Sequence, residues 1–99
     1  MITEQEAQTK LGTLVRDIVA NLVDDEELVR ISVSVIRKMI LFEVRVAPKD
    51  FGKLIGKGGG NAMALRTLMR AFGRKYGLTG LVEIVDPQGA SYAAETRSR

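Results

Sequence analysis

A glycine-rich turn with a lysine at its tip is the part of the sequence best suited to binding chemistry. The run LIGKGGGN occupies residues 54–61, between one short apolar segment and the start of another helix. Backbone N–H groups at a helix start lack intrahelical partners and lie at the positive end of the helix dipole, so they can bind phosphate. Glycines allow close approach, and Lys57 adds a mobile positive charge. The pattern predicts binding to the phosphate backbone of a polymer rather than to a small nucleotide.

Positive charge is concentrated around this turn. The net charge is +3, but residues 1–48 carry six Lys and Arg against eight Asp and Glu, whereas residues 49–99 carry nine against four. A one-sided basic region beside a phosphate-binding turn predicts a nucleic-acid partner. Between residues 49 and 76, Asp50 is the one acid among seven basic residues: Lys49, Lys53, Lys57, Arg66, Arg70, Arg74 and Lys75.

Two nucleotide-binding motifs resemble the turn and fail on spacing. A P-loop needs four residues between its first glycine and a Gly-Lys-Ser/Thr sequence. Here three residues separate Gly52 from Gly56, and Gly58 stands where the magnesium-binding hydroxyl is required. A Rossmann turn follows a strand, whereas this turn follows a predicted helix, and its three-glycine pattern is not completed.

The sequence offers little for catalysis. It contains no Cys and no His, which excludes thiolate or imidazole chemistry and disulfides. The acidic run at residues 24–27 lacks histidine partners and is predicted to be a solvated turn. We therefore expect no enzyme activity, no metal site and no cofactor. The first ten residues do not form a secretory signal and no segment has about 20 consecutive apolar residues, so we expect no membrane association and a cytoplasmic location.

The elements before the turn are predicted as a helix and a hairpin. Thr3 and Glu6 have capping-box spacing, and apolar residues then recur at helical spacing to residue 23. Residues 29–35 and 42–46 alternate apolar and polar side chains, which predicts two antiparallel strands. Pro48 suits the first position of a short helix ending at residue 55.

The elements after the turn are predicted as a helix and a final strand. Residues 61–76 have an apolar stripe that includes Leu65, Met69, Phe72 and Tyr76, and residues 81–85 read as the strand. The expected fold is α+β, a two-layer domain of order α-β-β-α-α-β with helices on one face of a three-stranded sheet. We expect one domain over residues 1–86 and a polar, flexible C-terminal tail over residues 87–99.

The turn and its surroundings resemble a KH domain, in which a Gly-x-x-Gly turn joins two helices. Ile55 followed by residues 56–59 matches the motif, and the element order resembles the type II form of the fold. The wider run over residues 45–68 is similar to the small bacterial single-KH RNA-binding proteins of the KhpA group. KH domains usually have a large aliphatic residue three positions after the second motif glycine, where this chain has Ala62; the KhpA group resembles the chain in having alanine there.

This resemblance implies an RNA-binding protein that holds about four nucleotides of single-stranded RNA between the turn, its flanking helices and one sheet edge. Gly56 and Gly59 would be the motif glycines, and Lys57 and Gly58 would contact phosphate. Leu54, Ile55 and Ala62 would form an apolar floor for the bases. It also implies post-transcriptional regulation or RNA chaperone activity, and a homodimer or a heterodimer with a larger KH-containing protein of the Jag type.

Two basic residues outside the turn are further candidates for RNA contact. Lys53 lies one turn before Gly56, and Arg66 is the arginine of its helix nearest the turn. Arg70 and Arg74 are by default a solvated face. The alternative function is a protein-interaction or assembly subunit that uses the fold mainly as a dimer surface.

Overall fold

Three helices pack on one face of a four-stranded sheet in the computed structural model, which describes residues 3–92. The elements in chain order are α1 (Glu4–Ala20), β1 (Arg30–Ile36), β2 (Met39–Arg45), α2 (Phe51–Ile55), α3 (Gly60–Lys75), β3 (Thr79–Val85) and β4 (Ser91–Tyr92), with 3₁₀ turns at Glu26–Leu28, Pro48–Asp50 and Lys57–Gly59.

Helix α1 begins at the predicted capping box. The Thr3 hydroxyl accepts the Glu6 N–H at 3.1 Å, and the Glu6 carboxylate accepts the Thr3 N–H at 2.8 Å. The helix ends at Ala20, earlier than the apolar spacing predicts. There the side-chain amide of Asn21 donates to the Asp17 carbonyl at 2.7 Å, so a local polar contact ends the helix while the apolar pattern continues. Its buried face consists of Ala7, Leu11, Val15 and Val19.

The sheet has the spatial order β1-β2-β3-β4. Strands β1 and β2 form the predicted antiparallel hairpin, β2 and β3 are parallel, and β3 and β4 are antiparallel. The prediction of a three-stranded sheet is therefore wrong by one strand. The extra strand forms because the Asp86 carboxylate accepts the N–H groups of Gln88 and Ala90 at 2.9 Å each, which turns the chain back along β3.

Alternation along the strands places the core between the sheet and the helices. On β3 the buried positions include Val82 and Ile84, while Leu81 is exposed on the other face. Helix α3 lies very close to β3 at Gly80. A Cβ atom there would be 2.1 Å from the Met69 carbonyl oxygen, so the close approach requires glycine. The buried core of β2 consists of Ile40, Phe42 and Val44.

None of the helices within residues 3–92 has the length and apolar character needed to cross a membrane. Within the segment predicted as a tail, Ser91–Tyr92 forms β4, and residues 93–99 lie outside the described part of the chain.

Candidate nucleic-acid interface

The Gly-x-x-Gly turn joins α2 to α3 through backbone conformations that favour glycine. Gly56 has φ 80° and ψ 167°, Gly58 has φ 63° and Gly59 has φ 79°. The Gly56 N–H closes α2 by donating to the Gly52 carbonyl at 2.9 Å, and the Gly59 N–H donates to the Gly56 carbonyl at 3.0 Å. The turn is thus a hydrogen-bonded structure that sets where α3 begins.

Asn61 joins the two sides of the turn. Its side-chain amide donates to the carbonyl of Lys53 at 3.0 Å, which connects the first turn of α3 to α2. The same side chain packs against Gly56, where an added Cβ would be 2.6 Å from the Asn61 Cγ atom. Gly56 and Asn61 therefore form a close pair that holds the two helices at a fixed distance.

The outer side of the turn is open and basic. Lys57, Gly58 and Gly60 are exposed, and no side chain caps the start of α3. The Gly59 and Gly60 N–H groups donate to the Gly56 and Lys57 carbonyls. The site therefore offers an anion the positive end of the α3 dipole and the exposed Lys57 ammonium. Within residues 3–92 Lys57 has no ion-pair partner. The arrangement can bind an anionic backbone without breaking an existing contact of this lysine.

Lys53 forms a weak, exposed ion pair with Asp24. Its ammonium lies 3.5 Å from the Asp24 carboxylate, and both side chains are more than half exposed. An exposed pair of this kind contributes about 0–1 kcal/mol. Lys53 can therefore exchange Asp24 for a phosphate at little cost.

The three residues predicted to form an apolar floor lie beneath the turn. Leu54 is 1% exposed, Ile55 is 8% exposed and Ala62 is fully buried, and all three belong to the hydrophobic core. They fix the position of the turn from below, and their direct contact with bases stays a prediction.

Arg66 points to the C-terminal strand rather than into open solvent. Its guanidinium donates to the Tyr92 carbonyl at 2.6 Å and lies 5.9 Å from the centre of the Tyr92 ring. The same ring makes an edge-to-face contact with Phe51, with centroids 5.9 Å apart. The structure thus brings Arg66 to the side of the predicted groove while giving it a partner within the protein.

Asp50 is the buried charged residue among residues 3–92, and no sequence pattern marks it as structural. Its carboxylate accepts the Asp25 N–H at 2.9 Å, which ties the loop after α1 to the start of α2. This hydrogen bond holds the pKa of the Asp50 carboxyl below its ordinary value of 3.8, against the opposing effect of burial; the Asp24 backbone and then Lys49 and Lys53 lower the pKa further.

The structural role of Asn61 and the contribution of Tyr92 are not among the sequence-based predictions. An asparagine directly after a run of glycines at a helix start is a signal for a local side-chain to backbone hydrogen bond, and it could have identified Asn61. The sequence Asp86-Pro87-Gln88-Gly89 is a turn signal that could have predicted a further strand and placed Tyr92 beside Phe51.

The family comparison agrees with this geometry. A family model described as "KhpA/KhpB, KH domain" matches residues 12–84, which runs from α1 to near the end of β3 and includes the whole turn.

Several curated proteins named RNA-binding protein KhpA are similar to the chain. The Aquifex aeolicus protein is 43% identical over 65 residues, covering 66% of this chain and 82% of that protein. The Caldanaerobacter subterraneus protein is 40% identical over 75 residues, covering 76% of this chain and all of that protein. The Mycobacterium tuberculosis protein is 42% identical over 59 residues, covering 60% and 74% of the two chains. No solved structure gives a significant match.

Proposed function

Since the chain belongs to the KhpA/KhpB family of KH domains, we propose that it is an RNA-binding protein that holds single-stranded RNA at the Gly-x-x-Gly turn. The observation that carries the proposal is the turn itself: an exposed Lys57 beside the uncapped start of α3, on a backbone that the Gly56–Asn61 contact fixes in place. KH domains use this loop to clamp the backbone of about four nucleotides.

The proposed binding step is electrostatic capture of phosphate. The positive end of the α3 dipole attracts phosphate, and Lys57 supplies a charge that follows an irregular backbone. Lys53 adds a second charge one helical turn earlier once it leaves Asp24. The proposed step is binding, and it makes or breaks no bond in the RNA.

Base selectivity is expected to be weak. The aromatic rings near the turn, Phe51 and Tyr92, are partly exposed and contact each other, and a base stacked on either ring would be held whatever its identity. The phosphate term then dominates the affinity. If about four phosphates are neutralised, log affinity should fall with log salt at a slope of about −3 for a single strand.

The test is fluorescence anisotropy with a labelled single-stranded RNA of eight nucleotides at several salt concentrations. Replacing Lys57 and Gly58 together by Asp puts two negative charges at the tip, and we expect affinity to fall at least tenfold. The variant must first give the wild-type circular-dichroism spectrum, since Gly58 has φ 63° and Asp there is mildly strained. Equal binding by the variant and the wild type, or a flat salt response, would contradict the turn as the RNA site.

The partner proteins and the cellular role are part of the same proposal. We expect a homodimer or pairing with a larger KH-containing protein of the Jag type. The complex would act in post-transcriptional regulation or as an RNA chaperone, and we expect it in the cytoplasm. A second RNA site in a dimer would raise the apparent affinity of a small domain through effective concentration. Analytical ultracentrifugation of the purified chain, alone and with the larger protein, tests both pairings.

A further inference from the structure

The sheet edge that faces the turn is already occupied in the structure. The proposed RNA groove lies between the turn with its two helices and a neighbouring sheet edge. Helix α3 packs directly on β3. Strand β1, at the opposite edge of the sheet, lies two strands away from β3. The edge of β3 is therefore the one beside the groove. Along that edge β4 pairs antiparallel, with Tyr92 opposite Ile84 and Ser91 opposite Val85.

Side-chain contacts fix β4 to the helices that flank the turn. The Tyr92 ring meets Phe51 of α2 edge-to-face, and the Arg66 guanidinium of α3 lies beside that ring. Arg66 also donates to the Tyr92 carbonyl at 2.6 Å. Tyr92 thus bridges α2, α3 and β3, which are the three walls of the groove.

The connection from β3 to β4 is a turn built around one carboxylate. Asp86 Oδ1 accepts the Gln88 and Ala90 N–H groups, and the Asp86 N–H donates to the Ala90 carbonyl at 2.7 Å. This turn brings Ser91–Tyr92 back along β3. The strand itself forms only two residue pairs, whereas β1 and β2 form seven, so β4 is much more easily detached than the rest of the sheet.

We propose that residues 86–92 form a strap that covers the RNA groove and competes with RNA for the edge of β3 and for Arg66. The proposal rests on the proposed function. RNA binds when β4 leaves β3, which frees the strand edge, the Phe51 ring and the Arg66 guanidinium together. Arg66 thereby has two acceptors in turn, the Tyr92 carbonyl in the closed form and the RNA in the open form.

The strap lowers apparent affinity by the fraction of molecules in which it is open. If about one molecule in ten is open, a variant that cannot close the strap should bind RNA about tenfold more tightly. The proposed contacts of the turn are unchanged, because the strap is held through Phe51 and Arg66.

Two variants of the full chain open the strap by different means. Tyr92→Ala removes the ring that meets Phe51 and Arg66, and Asp86→Ala removes the acceptor of two turn N–H groups. Asp86→Asn is the matched control, because its Oδ1 atom keeps that acceptor. Each protein is titrated into the same eight-nucleotide RNA, and thermal unfolding monitors the fold, which we expect to change little because β4 is peripheral.

We expect both alanine variants to bind about tenfold more tightly than wild type, and Asp86→Asn to bind like wild type. Unchanged or weaker binding by both alanine variants overturns the strap. Weaker binding by Tyr92→Ala with no change in Asp86→Ala also overturns it, since Tyr92 would then contact RNA directly. If the alanine variants bind no more tightly while the Lys57→Asp, Gly58→Asp variant loses binding, only the strap fails. If neither the wild type nor any variant binds RNA, the proposed function fails together with the strap.

Discussion

Gly56 is where a single residue decides whether the turn can form. Its φ of 80° with ψ of 167° is essentially restricted to glycine, and an added Cβ would be 2.6 Å from Asn61. Gly52, four residues earlier, has open space around the equivalent position and a helical backbone. Backbone conformation and packing therefore require glycine at position 56, whereas position 52 has room for a side chain.

We expect Gly56→Ala to lower the free energy of unfolding by about 1–3 kcal/mol or more, through backbone strain and displacement of Asn61. It should also weaken RNA binding, because the start of α3 would shift. Gly52→Ala is the control and should be neutral or stabilising by up to about 1 kcal/mol, since alanine favours a helix. Urea denaturation of both variants measures the difference. Equal stability of the two variants would show that the turn tolerates a side chain at Gly56.

The sequence alone predicts which residues need the left-handed backbone conformation of glycine, but it does not predict which side chains contact them. The motif glycines and Lys57 are recognisable because their types and spacing fit phosphate binding. Asn61 is not, because its importance lies in reaching the Lys53 carbonyl across the turn, a distance that exists only after α2 and α3 have packed. The same holds for Arg66, whose position on its helix is predictable but whose contact with Tyr92 is not.

Among the elements, the buried Asp50 carboxylate joins the loop after α1 to the start of α2. The loop after α1 is acidic. Its backbone is fixed at Asp25, whose N–H donates to the Asp50 carboxylate. The contact therefore positions the short helix that leads into the turn. Burial of a charged group is tolerated here because the hydrogen bond and two nearby lysines favour the ionised form.

Protonation of Asp50 should loosen that junction at acid pH. Because the pKa of this carboxyl is lower in the folded protein than its ordinary value of 3.8, its contribution to stability is full above that value. The contribution is lost as the pH falls from about 3.8 through the lowered pKa. We expect the urea midpoint of the wild type to drop in this range, and Asp50→Asn to show a smaller drop from a lower starting point at pH 7.

Matched denaturation curves of the two proteins between pH 7 and pH 3 measure this difference. Other carboxyls titrate in both proteins, so the informative quantity is the gap between their midpoints. A gap that stays constant with pH would contradict the assignment. Glu26→Gln, an exposed change in the same loop, should leave the midpoint at pH 7 unchanged.

The elements that the sequence predicts correctly are those with a strong period. The hairpin and α3 have clear alternation or a helical stripe, and the capping box marks the start of α1. Strand β4 has only two residues and no alternation to detect, so it depends on tertiary contacts of Tyr92 with Phe51 and Arg66. Short elements held by distant residues are the part of this fold that local pattern cannot supply.

Over the whole molecule, basic residues extend far beyond the turn. Helix α3 rises about 1.5 Å per residue, so Arg74 lies about 20 Å along the helix from its start. Arg70 and Arg74 are both exposed, with no RNA-facing role required by the geometry of the turn. At physiological ionic strength charges are screened over about 8 Å, so the far end of α3 and the turn should contribute differently to binding.

We expect Arg70→Glu, Arg74→Glu to weaken binding of an eight-nucleotide RNA less than threefold at 0.15 M salt, and clearly more at about 0.01 M, where screening extends over about 30 Å. Lys57→Glu, which reverses one charge at the turn, should weaken binding at both salt concentrations because the proposed phosphate contact of Lys57 is lost. Anisotropy titrations of the three proteins at the two salt concentrations separate long-range attraction from contact. A double variant that loses as much affinity at 0.15 M as Lys57→Glu would place the RNA along the whole of α3 and would enlarge the site beyond the turn.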